Sequence, residues 1–517
     1  MSRSDEGAPP RHLLLHRDYY NHATINRDYN NRAQCRCHRR GRSMTFIGRV
    51  DDLEQLNDCY KARRAQLVFV YGRRRVGKTA TLVRFSQDKE TIFFAAQNAT
   101  KEEQLASFSR LMFEAGAPGK DYLSQYPSWE RALSELVKLP EPADGSRRLV
   151  VFDEFPYLVK SDPSLPSVLQ NLWDHTLRDA NLMIVICGSA MSFMEKELLA
   201  EKSPLYGRAT GVLRINPMPY WDAVRFLPDY SAEDKALAYA ILGGIPRYLE
   251  EFDPDMSVAE NVKRHILRRI APLYSEVEFL LHEELRETAK YNSVIRAIAL
   301  GATSLNEIAT HTMMPGATVS SYLGNLMELG IVEREFPVTA KLKELAKGTR
   351  GLYQLSDNFF RFWYAFVFPY RSELERGDVD GVYERHIEPV LHDFAGKPFE
   401  GICREWLWRE SIAGRLPFRA RAVGRWWDRK DEIDVMAVDA TGSKSIVGEC
   451  KFRNTAMDGG VLNLLRARAA RTGIEPQLSV LFSLGGFDRG LSDMAAAEPS
   501  SLRLVGIDDL FREVNTR

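Results

Sequence analysis

The stretch QLVFVYGRRRVGKTATLVRF, residues 66–85, constrains the fold of this chain more than any other feature. An apolar run typical of a buried strand leads into the loop, and a helical pattern follows it. The loop has the form Gly72-x4-Gly77-Lys78-Thr79. Its glycines allow backbone N–H groups to surround phosphates. Strand, glycine-rich loop and helix in this order predict a P-loop that binds a nucleoside triphosphate.

Each polar residue of this loop has an expected role. Lys78 should reach the β- and γ-phosphates, and the Thr79 hydroxyl should ligate Mg²⁺. ATP and Mg²⁺ are therefore the expected cofactors, and ATP is the expected partner. The predicted nucleotide-binding residues are Gly72, Arg73, Arg74, Arg75, Val76, Gly77, Lys78 and Thr79.

A second apolar run, RRLVVFDEF at 147–155, ends in two acids. Asp153 is expected to hold Mg²⁺ through water, and Glu154 to polarise the attacking water. The alternative is a strand end with two solvated acids. Two acids in this place favour a hydrolase over a passive nucleotide binder.

Four further residues are candidates around the same site. Ser189 ends the apolar run NLMIVICGS and could either sense the γ-phosphate or cap the next helix. Arg208, in SPLYGRAT, could act as an arginine finger on the nucleotide of its own chain or of a neighbour, or it could be solvated. In ILGGIPRYLEEF, Arg247 could reach the nucleotide from a lid, and Pro246 could pack near the base.

Short apolar strands alternate with helical segments here, which predicts a parallel sheet with helices on both faces. The motifs FIGRVDDLEQL, GRRRVGKT, VVFDEFPYL, CGSAMSFME, SPLYGRAT and GGIPRYLEEF resemble those of archaeal-type ATPases of the AAA/STAND-like P-loop group, which also occur in bacteria. The resemblance runs from about residue 44 to the end, because these proteins share a C-terminal domain of unknown function. The broad class also allows a homo-oligomeric ring, which nothing in the sequence requires.

Three apolar helical stripes followed by GIVERE, in residues 291–335, predict a winged helix-turn-helix. The expected recognition helix has no Lys or Arg and should expose Thr318, Ser320, Ser321 and Asn325. Phosphate contacts supply most of the affinity for DNA. A structural or autoinhibitory role is therefore favoured over DNA contact. The aromatic run YQLSDNFFRFWYAFVFPY that follows predicts core or interdomain packing, and it also resembles the family's segment.

The stretch EIDVMAVDATGSKSIVGECKF reads as a hairpin with charge inside both strands. Its polar turn centres between Thr441 and Gly442. That register places Asp434 opposite Glu449 on one face. Like charges facing each other destabilise a strand pair, and a divalent cation between them would reverse the effect. Lys451 falls on the same face because strand side chains alternate.

Glu400, in the helical segment PFEGICREWLWR, could add an acid from a neighbouring helix. An acid on a helix, Asp on one strand and Glu-x-Lys on the next resemble the PD-(D/E)XK nuclease core. The resemblance implies a nuclease-like site of Glu400, Asp434, Glu449 and Lys451, with Asp434 and Glu449 holding Mg²⁺. The alternative is a salt-bridged cluster in a degenerate fold, with Lys451 neutralising one acid. Neighbouring residues that suit a polyanion are Arg419, Arg421, Arg425, Trp426, Trp427, Arg429, Lys430 and Arg453.

The fold class expected for the whole chain is α/β: a P-loop NTPase sheet, a helical lid, a winged helix-turn-helix and a restriction-endonuclease-like α/β domain. The expected domains are a basic tail at 1–43, an ATPase domain at 44–215, a lid at 216–285, a winged helix with the aromatic segment at 286–370, and the nuclease-like domain at 371–517. The tail holds nine Arg, no Lys and four acids, so it reads as disordered or as lying upstream of a translation start at Met44. Its CRCH matches no common zinc pattern.

Composition excludes some classes of function. Lys and Arg total 70 and balance 70 Asp and Glu, so any basic surface is local. No apolar run reaches the ~18 residues that span a bilayer, and six cysteines in 517 residues make no disulfide framework, which favours the cytoplasm. The sequence predicts an ATP-hydrolysing protein coupled to a Mg²⁺-dependent, DNA-acting nuclease-like domain. The alternative is a STAND-like switch that binds DNA or protein without cleavage. A transcription regulator is disfavoured by the neutral recognition helix.

Overall fold

Five strands form a parallel sheet in the N-terminal part of the chain. The computed structural model describes residues 46–348 and 350–512. The strands lie in the order β2-β3-β4-β1-β5, and every neighbouring pair is parallel. The loops after β3, β4 and β1 therefore lie side by side at one edge. The strand bounds are β1 Gln66–Tyr71, β2 Thr91–Ala95, β3 Arg148–Asp153, β4 Leu182–Gly188 and β5 Gly211–Arg214.

Helices cover both faces of this sheet. Every residue of β3 and β4 is buried. Side chains of β1 alternate between two cores, with Leu67 in one and Val68 in the other. The predicted parallel α/β architecture is thus confirmed. The helices are α1 Val50–Lys61, α2 Lys78–Ser86, α3 Lys101–Glu114, α4 Trp129–Ser134, α5 Phe155–Ser161, α6 Leu165–His175 and α7 Met191–Phe193.

A helical segment follows β5. It comprises α8 Tyr220–Ala223, α9 Ala232–Leu242, α10 Pro246–Leu249, α11 Val258–Asn261 and α12 Glu276–Glu284. The turn between α9 and α10 needs glycine, because a Cβ on Gly244 would collide with the carbonyl oxygen of Met218. This close approach fixes where α10 begins.

The predicted winged helix-turn-helix is present. Helix α14 begins at a capping box in which Ser304 and Glu307 bond each other's backbone N–H. The apolar stripes pack inward, with Val294, Ile308 and Leu323 fully buried. The elements are α13 Thr288–Ala299, α14 Leu305–Thr312, α15 Gly316–Glu328, β6 Val332–Glu335, α16 Leu342–Lys347 and β7 Leu352–Leu355. Strands β6 and β7 pair antiparallel as the wing.

Helix α15 occupies the position of the recognition helix. Ser320 and Ser321 are exposed as expected, and Thr318 is half-buried. The expectation of an exposed side chain is wrong for Thr318 and for Asn325. The side-chain amide of Asn325 is half-buried and donates to the Tyr291 hydroxyl at 2.5 Å, because it lies on the side of α15 that faces α13.

The aromatic segment after the wing packs into the core, as predicted. Phe359, Phe360 and Trp363 have no exposed surface, and the Trp363 indole N–H donates to the carbonyl oxygen of Tyr274 at 2.8 Å. The segment shares one apolar core with one face of the N-terminal sheet. Its helices are α17 Asn358–Phe362, α18 Arg371–Glu375 and α19 Val379–Val382.

A second five-stranded sheet forms the C-terminal part, in the order β12-β11-β10-β9-β8. Strand β9 pairs antiparallel with both β8 and β10. Strand β11 is parallel to β10, and β12 is parallel to β11. The strands are β8 Ala422–Trp427, β9 Glu432–Val438, β10 Lys444–Lys451, β11 Glu475–Ser483 and β12 Leu502–Gly506. The helices are α20 Leu391–Ile412, α21 Gly459–Arg471, α22 Arg489–Ala497 and α23 Ile507–Phe511.

The β9–β10 hairpin has the register that the turn predicts. Ser445 lies opposite Val438, and Gly448 lies opposite Val435. Continued by one residue, this register places Glu449 opposite Asp434.

Shorter helical turns link these elements. The 3₁₀ turns are Glu135–Lys138, Leu177–Asp179, Val224–Phe226 and Glu388–Val390. The π-helical turns are Met194–Leu198, Val262–Leu267, Trp363–Val367 and Tyr383–Ile387. In the part of the chain that the structure describes, no helix is long and apolar enough to cross a membrane. The basic tail, CRCH and Met44 lie outside the described residues.

Candidate active site

The P-loop joins β1 to α2 at the edge of the N-terminal sheet. A Cβ on Gly72 would collide with the carbonyl oxygen of Ile215, so this position requires glycine for close approach. Gly77 is required for its conformation, because its φ of 91° is left-handed. The Pro246 ring lies 3.6 Å from where a Cβ of Gly77 would be. The start of α10 therefore lies close to the loop where α2 begins.

Lys78 is buried and bonded within the loop itself. Its ammonium donates to the carbonyl oxygens of Gly72 at 2.9 Å and Arg73 at 3.0 Å. Burial lowers the pKa of Lys78. The loop backbone therefore satisfies two of the three ammonium donors of Lys78.

The start of α2 and the end of β3 meet through a hydrogen bond. The Thr79 hydroxyl donates to Asp153 Oδ2 at 2.6 Å. Asp153 is buried. The hydrogen bond brings the two residues expected to hold Mg²⁺ into direct contact. Both are oxygen donors, and Mg²⁺ prefers such donors.

Glu154 has a strained backbone and a fixed carboxylate. Its φ of 53° is left-handed, a conformation that is uncommon outside glycine and clusters at functional sites. Glu154 Oε2 accepts from the Ser189 hydroxyl at 2.9 Å and from the Ser189 N–H at 3.4 Å. Ser189 does not cap a helix, since α7 is preceded by Ala190 and has no side-chain cap. Ser189 thus orients Glu154, a role that its position in the sequence alone does not reveal.

The three P-loop arginines each bond an acid from a distant element. Arg73 pairs with Asp357, which precedes α17. Arg74 binds both Glu283, at 3.1 Å, and Glu284, at 2.5 Å, at the end of α12. Burial is the largest influence and lowers the pKa of Arg73, but Asp357, Tyr248 and Glu284 together outweigh it, so the pKa of that guanidinium is raised. These partners were missed from the sequence, because ion pairs more than 200 residues apart leave no local pattern.

Arg75 completes the set by pairing with Glu276 at the start of α12. Arg247 binds Glu251 at 2.6 Å one turn along its own segment, so its reach toward a nucleotide stays a prediction. A cavity of about 10 Å³ remains between Arg74, Ser189 and the side chains of α12 and Leu329. Helix α12 and Leu329, the residue after α15, therefore lie against Arg74 and Ser189.

Arg208 is not brought to the P-loop. Its guanidinium binds the Asp174 carboxylate with bonds of 2.8 to 3.0 Å. Thr210, two residues on, donates its N–H to the carbonyl oxygen of Leu67 at the start of β1. The strand separates that point from the P-loop by roughly 16 Å. Arg208 thus lies at the edge opposite the nucleotide of its own chain, and only a role on a neighbouring copy remains a prediction.

The C-terminal sheet holds a second group of buried acids. Asp434 Oδ2 accepts the Cys450 N–H at 3.0 Å. Burial, Glu449 and Glu400 together raise the pKa of Asp434 to about 7. Negative charge is therefore crowded around this carboxyl, and a cation beside it would be favourable.

Glu449 and Glu400 are already paired with cations. Glu449 accepts from Lys451 at 2.7 Å and lies 3.2 Å from Arg468 on α21. Glu400 accepts from Lys397 at 2.8 Å. Within residues 46–348 and 350–512, no group of three or more His, Cys, Asp or Glu is placed to hold a metal ion. Among these residues Glu400 is therefore not placed as a third carboxylate ligand beside Asp434 and Glu449, and a cation between those two stays a prediction.

The wing packs on the edge strand β8. The Val338 N–H donates to the Arg425 carbonyl oxygen at 2.7 Å, and Arg425 binds Glu335 of β6 at 3.0 Å. Trp426 is buried in the core beside α21. Arg425 and Trp426 were expected to face a polyanion. That expectation is wrong for both, because the wing covers one and the core covers the other.

Basic residues that do remain exposed are Arg419, Arg421, Arg429, Lys430 and Arg453. Three of them, Arg429, Lys430 and Arg453, lie in the turn before β9 and the loop after β10. These are the chain segments that flank Asp434 and Lys451.

Three family models match separate parts of the chain. Residues 46–252 match an ATPase domain found predominantly in Archaea, and residues 292–335 match an IclR helix-turn-helix domain. Residues 363–464 match a domain of archaeal and bacterial proteins of unknown function.

Individual proteins match as well. The uncharacterized protein MJECL04 of Methanocaldococcus jannaschii is 31% identical over 409 residues, which cover 79% of this chain and 88% of that protein. The uncharacterized ATP-binding protein MJ0423 of the same organism is 40% identical over 45 residues, or 9% of this chain and 76% of that protein. The Walker-type ATPase PABY2304 of Pyrococcus abyssi has a TM-score of 0.48 and 20% identity, and the match covers 62% of this chain and 96% of that one.

The MJECL04 match extends over most of both chains, and the P-loop, Asp153 and Glu154 lie inside the region that matches the ATPase model. The chain therefore belongs to the family of MJECL04, and it is an ATPase that carries a domain found predominantly in Archaea followed by a region matching archaeal and bacterial proteins of unknown function.

Proposed function

We propose that this ATPase couples Mg²⁺-dependent ATP hydrolysis to cleavage of DNA by its C-terminal domain. The observation that carries the proposal is the crowding of Asp434 and Glu449 at the end of a buried hairpin, with Lys451 bonded to Glu449. Lys451 and Arg468 compensate the charge of Glu449, whereas Asp434 is buried close to it with a raised pKa, and burying a charge is costly unless it is paired.

ATP hydrolysis would proceed at the edge of the N-terminal sheet. Lys78, positioned by the carbonyls of Gly72 and Arg73, would meet the β- and γ-phosphates, and Thr79 and Asp153 would hold the Mg²⁺ that accompanies ATP. Glu154 would orient the attacking water and take its proton. Ser189 would keep that carboxylate aimed, and Mg²⁺ would supply charge neutralisation on the phosphates.

The strand order of the C-terminal domain supports a nuclease-like arrangement. A long helix, α20, is followed by three antiparallel strands, by α21 and by a parallel strand. Asp434 lies near the start of β9, and Glu449 and Lys451 lie at the end of β10. Both positions are at one end of the sheet, where a ligand can approach.

Asp434 and Glu449 are the residues proposed to hold a second Mg²⁺, which would supply Lewis-acid activation of a phosphodiester. Lys451, which donates to Glu449 at 2.7 Å, would be the residue whose ammonium faces a phosphate oxygen. Arg429, Lys430 and Arg453 would hold the flanking backbone phosphates through charge, without reading bases.

The test compares the full-length wild type with Lys451→Ala and Asp434→Asn on linear and circular DNA, with Mg²⁺ and ATP present. Both variants should lose DNA cleavage and keep ATP hydrolysis. Lys78→Ala should lose ATP hydrolysis. Asp428→Asn, in the neighbouring turn, is the matched control and should cleave like the wild type. Intact DNA with the wild type, or equal cleavage by Lys451→Ala, would refute the proposed nuclease.

A second candidate function is a nucleotide-controlled switch without cleavage. It is supported by the contact between the winged helix and the segment that follows Ser189. Glu328, at the end of α15, binds the Ser192 hydroxyl at 2.6 Å and the Lys196 ammonium at 2.6 Å. A change at the γ-phosphate would therefore alter the contacts that hold the winged helix in place.

In that case the nucleotide state controls binding of DNA or a protein. The wild type should bind DNA differently with ADP and with a non-hydrolysable ATP analogue, and Glu328→Gln should reduce the difference. Binding that is equal in both nucleotide states would exclude the switch. The exposed face of α15 carries Ser320 and Ser321 and no basic residue, so DNA binding by this face would be weak and would depend little on salt concentration.

A further inference from the structure

Asp357 lies 284 residues after Arg73 in the sequence, yet it is the acid that the first P-loop arginine meets. Its side chain is 2% exposed, and that of Arg73 is 8% exposed. Asp357 Oδ1 accepts the Phe360 N–H at 2.8 Å and so caps α17, while Oδ2 pairs with Arg73. One carboxylate thus belongs both to the P-loop and to the start of the aromatic segment.

The guanidinium of Arg73 depends on this single acid. Its Nε and Nη2 atoms are buried and meet no acceptor among the described residues. The group lies 5.1 Å from the centre of the Phe360 ring, which adds a favourable cation–π contact but no hydrogen bond. Without Asp357, a buried cation would be left with no hydrogen-bond acceptor, which proteins avoid by moving the group to water.

Movement of Arg73 would change the reacting end of the loop. The carbonyl oxygens of Gly72 and Arg73 hold the Lys78 ammonium. The place of those carbonyls is set at one end by the contact of Gly72 with Ile215 and at the other by the anchored Arg73 side chain. The path of contacts runs from Asp357 through Arg73 to the lysine that meets the phosphates.

We infer that Asp357 is a positioning residue for ATP hydrolysis: acting through Arg73, it holds the P-loop in the form that places Lys78. The residue belongs to the C-terminal half of the chain, beyond the region that matches the ATPase model. The ATPase site is therefore incomplete without that half. This inference concerns ATP hydrolysis alone and is independent of whether the C-terminal domain cleaves DNA.

The experiment is a double-mutant cycle on the full-length protein, with kcat and KM for ATP as the readout. Asp357→Asn keeps the cap of α17, because Asn caps helices as well as Asp does, and removes only the charge. Arg73→Met removes the cation and keeps most of the apolar stem. Glu410→Gln is the matched control, because Glu410 is a buried acid paired with Arg415 at 2.5 Å in the C-terminal domain, away from the P-loop.

We expect each of Asp357→Asn and Arg73→Met to lower kcat about tenfold, and the double variant to lower it about tenfold rather than a hundredfold, because both act through one contact. KM for ATP should change less than kcat. Glu410→Gln should keep kcat within about twofold of the wild type. A kcat of Asp357→Asn within about twofold of the wild type would overturn the inference, as would a product of the two single effects in the double variant.

If Asp357→Asn alone does not fold, the double variant still decides the question. Removing both partners leaves no unpaired cation and costs less than removing one. Equal kcat for Arg73→Met and the double variant then supports the role through Arg73. A further tenfold loss in the double variant overturns it.

Discussion

Replacing Asp434 by Asn should stabilise the C-terminal domain strongly at pH 8 and only slightly at pH 4.5. Burial, Glu449 and Glu400 raise the pKa of Asp434 from its ordinary 3.8 to about 7, so the folded chain binds this proton more tightly than the unfolded chain does. Folding stability therefore falls as pH rises from about 4 to about 7 and then stays level. The cost to the wild type is about 1 kcal/mol at pH 4.5 and about 4 kcal/mol at pH 8.

Asn avoids this cost because it does not ionise. Its amide oxygen can still accept the Cys450 N–H that Asp434 accepts at 3.0 Å. The advantage of the variant should therefore grow by about 3 kcal/mol between the two pH values, which corresponds to roughly 6–12 °C in the unfolding midpoint of a domain of this size.

The assay is thermal unfolding of the full chain at pH 4.5 and pH 8, followed by tryptophan fluorescence, since Trp426 and Trp427 lie in the neighbouring strand β8. Asp428→Asn is the control. Backbone N–H groups and Arg471 lower the pKa of Asp428 to about 2. Its contribution to folding stability is therefore lost only at pH values more acidic than the two used in the assay. A midpoint difference between Asp434→Asn and the wild type that is equal at both pH values would refute the reasoning.

Mg²⁺ provides a separate arm of the same experiment. At pH 8, added Mg²⁺ should raise the midpoint of the wild type and leave Asp434→Asn unchanged, because the ion would need both Asp434 and Glu449. An equal response in the two proteins would exclude this metal site while leaving the burial argument intact.

Three other outcomes follow from contacts in the ATPase domain. Ser189→Ala should lower kcat for ATP about tenfold, since Glu154 loses a hydroxyl donor, and an unchanged kcat would exclude the orienting role. Arg208→Ala should keep the ATPase rate of dilute protein within about twofold, because Arg208 is bound to Asp174 at the far edge of the sheet; a loss that emerges only as protein concentration rises would show action on a neighbouring copy. Gly244→Ala should destabilise the fold by about 1–3 kcal/mol, because the added Cβ meets the Met218 carbonyl, whereas Gly459→Ala in open space should be tolerated in the same thermal assay.

The features that could be predicted from the sequence are local in the chain. The P-loop is one continuous stretch of sequence, and the strand before it and the helix after it can both be predicted from the adjacent residues. The β9–β10 register follows from one polar turn, and the structure has the register that this turn predicts. The packing of the aromatic run follows from its apolar character, because such side chains bury wherever a core is available.

The features that could not be predicted depend on contacts between distant segments. Nothing near Arg73 indicates that its counter-ion is Asp357, and nothing near Arg425 indicates that Glu335 of the wing will bind it. For Arg208 the error is the opposite one, because a contact with the nucleotide of its own chain was considered and the structure does not allow it. The position of Arg208 after β4 suggests a place beside the nucleotide, but Thr210 joins the start of β1, and the chain direction at that point puts Arg208 at the wrong edge.

The shared apolar core has a consequence for how such proteins can be divided. One face of the N-terminal sheet, the winged helix, the aromatic segment and part of the C-terminal sheet contribute to one continuous cluster. A fragment ending at residue 252, where the match to the ATPase model ends, would expose that face to water and strip Arg73 of its acid. A recombinant that exchanges the ATPase domain between family members should therefore fail to fold unless the downstream half is exchanged as well. The two halves are thus expected to be inherited together.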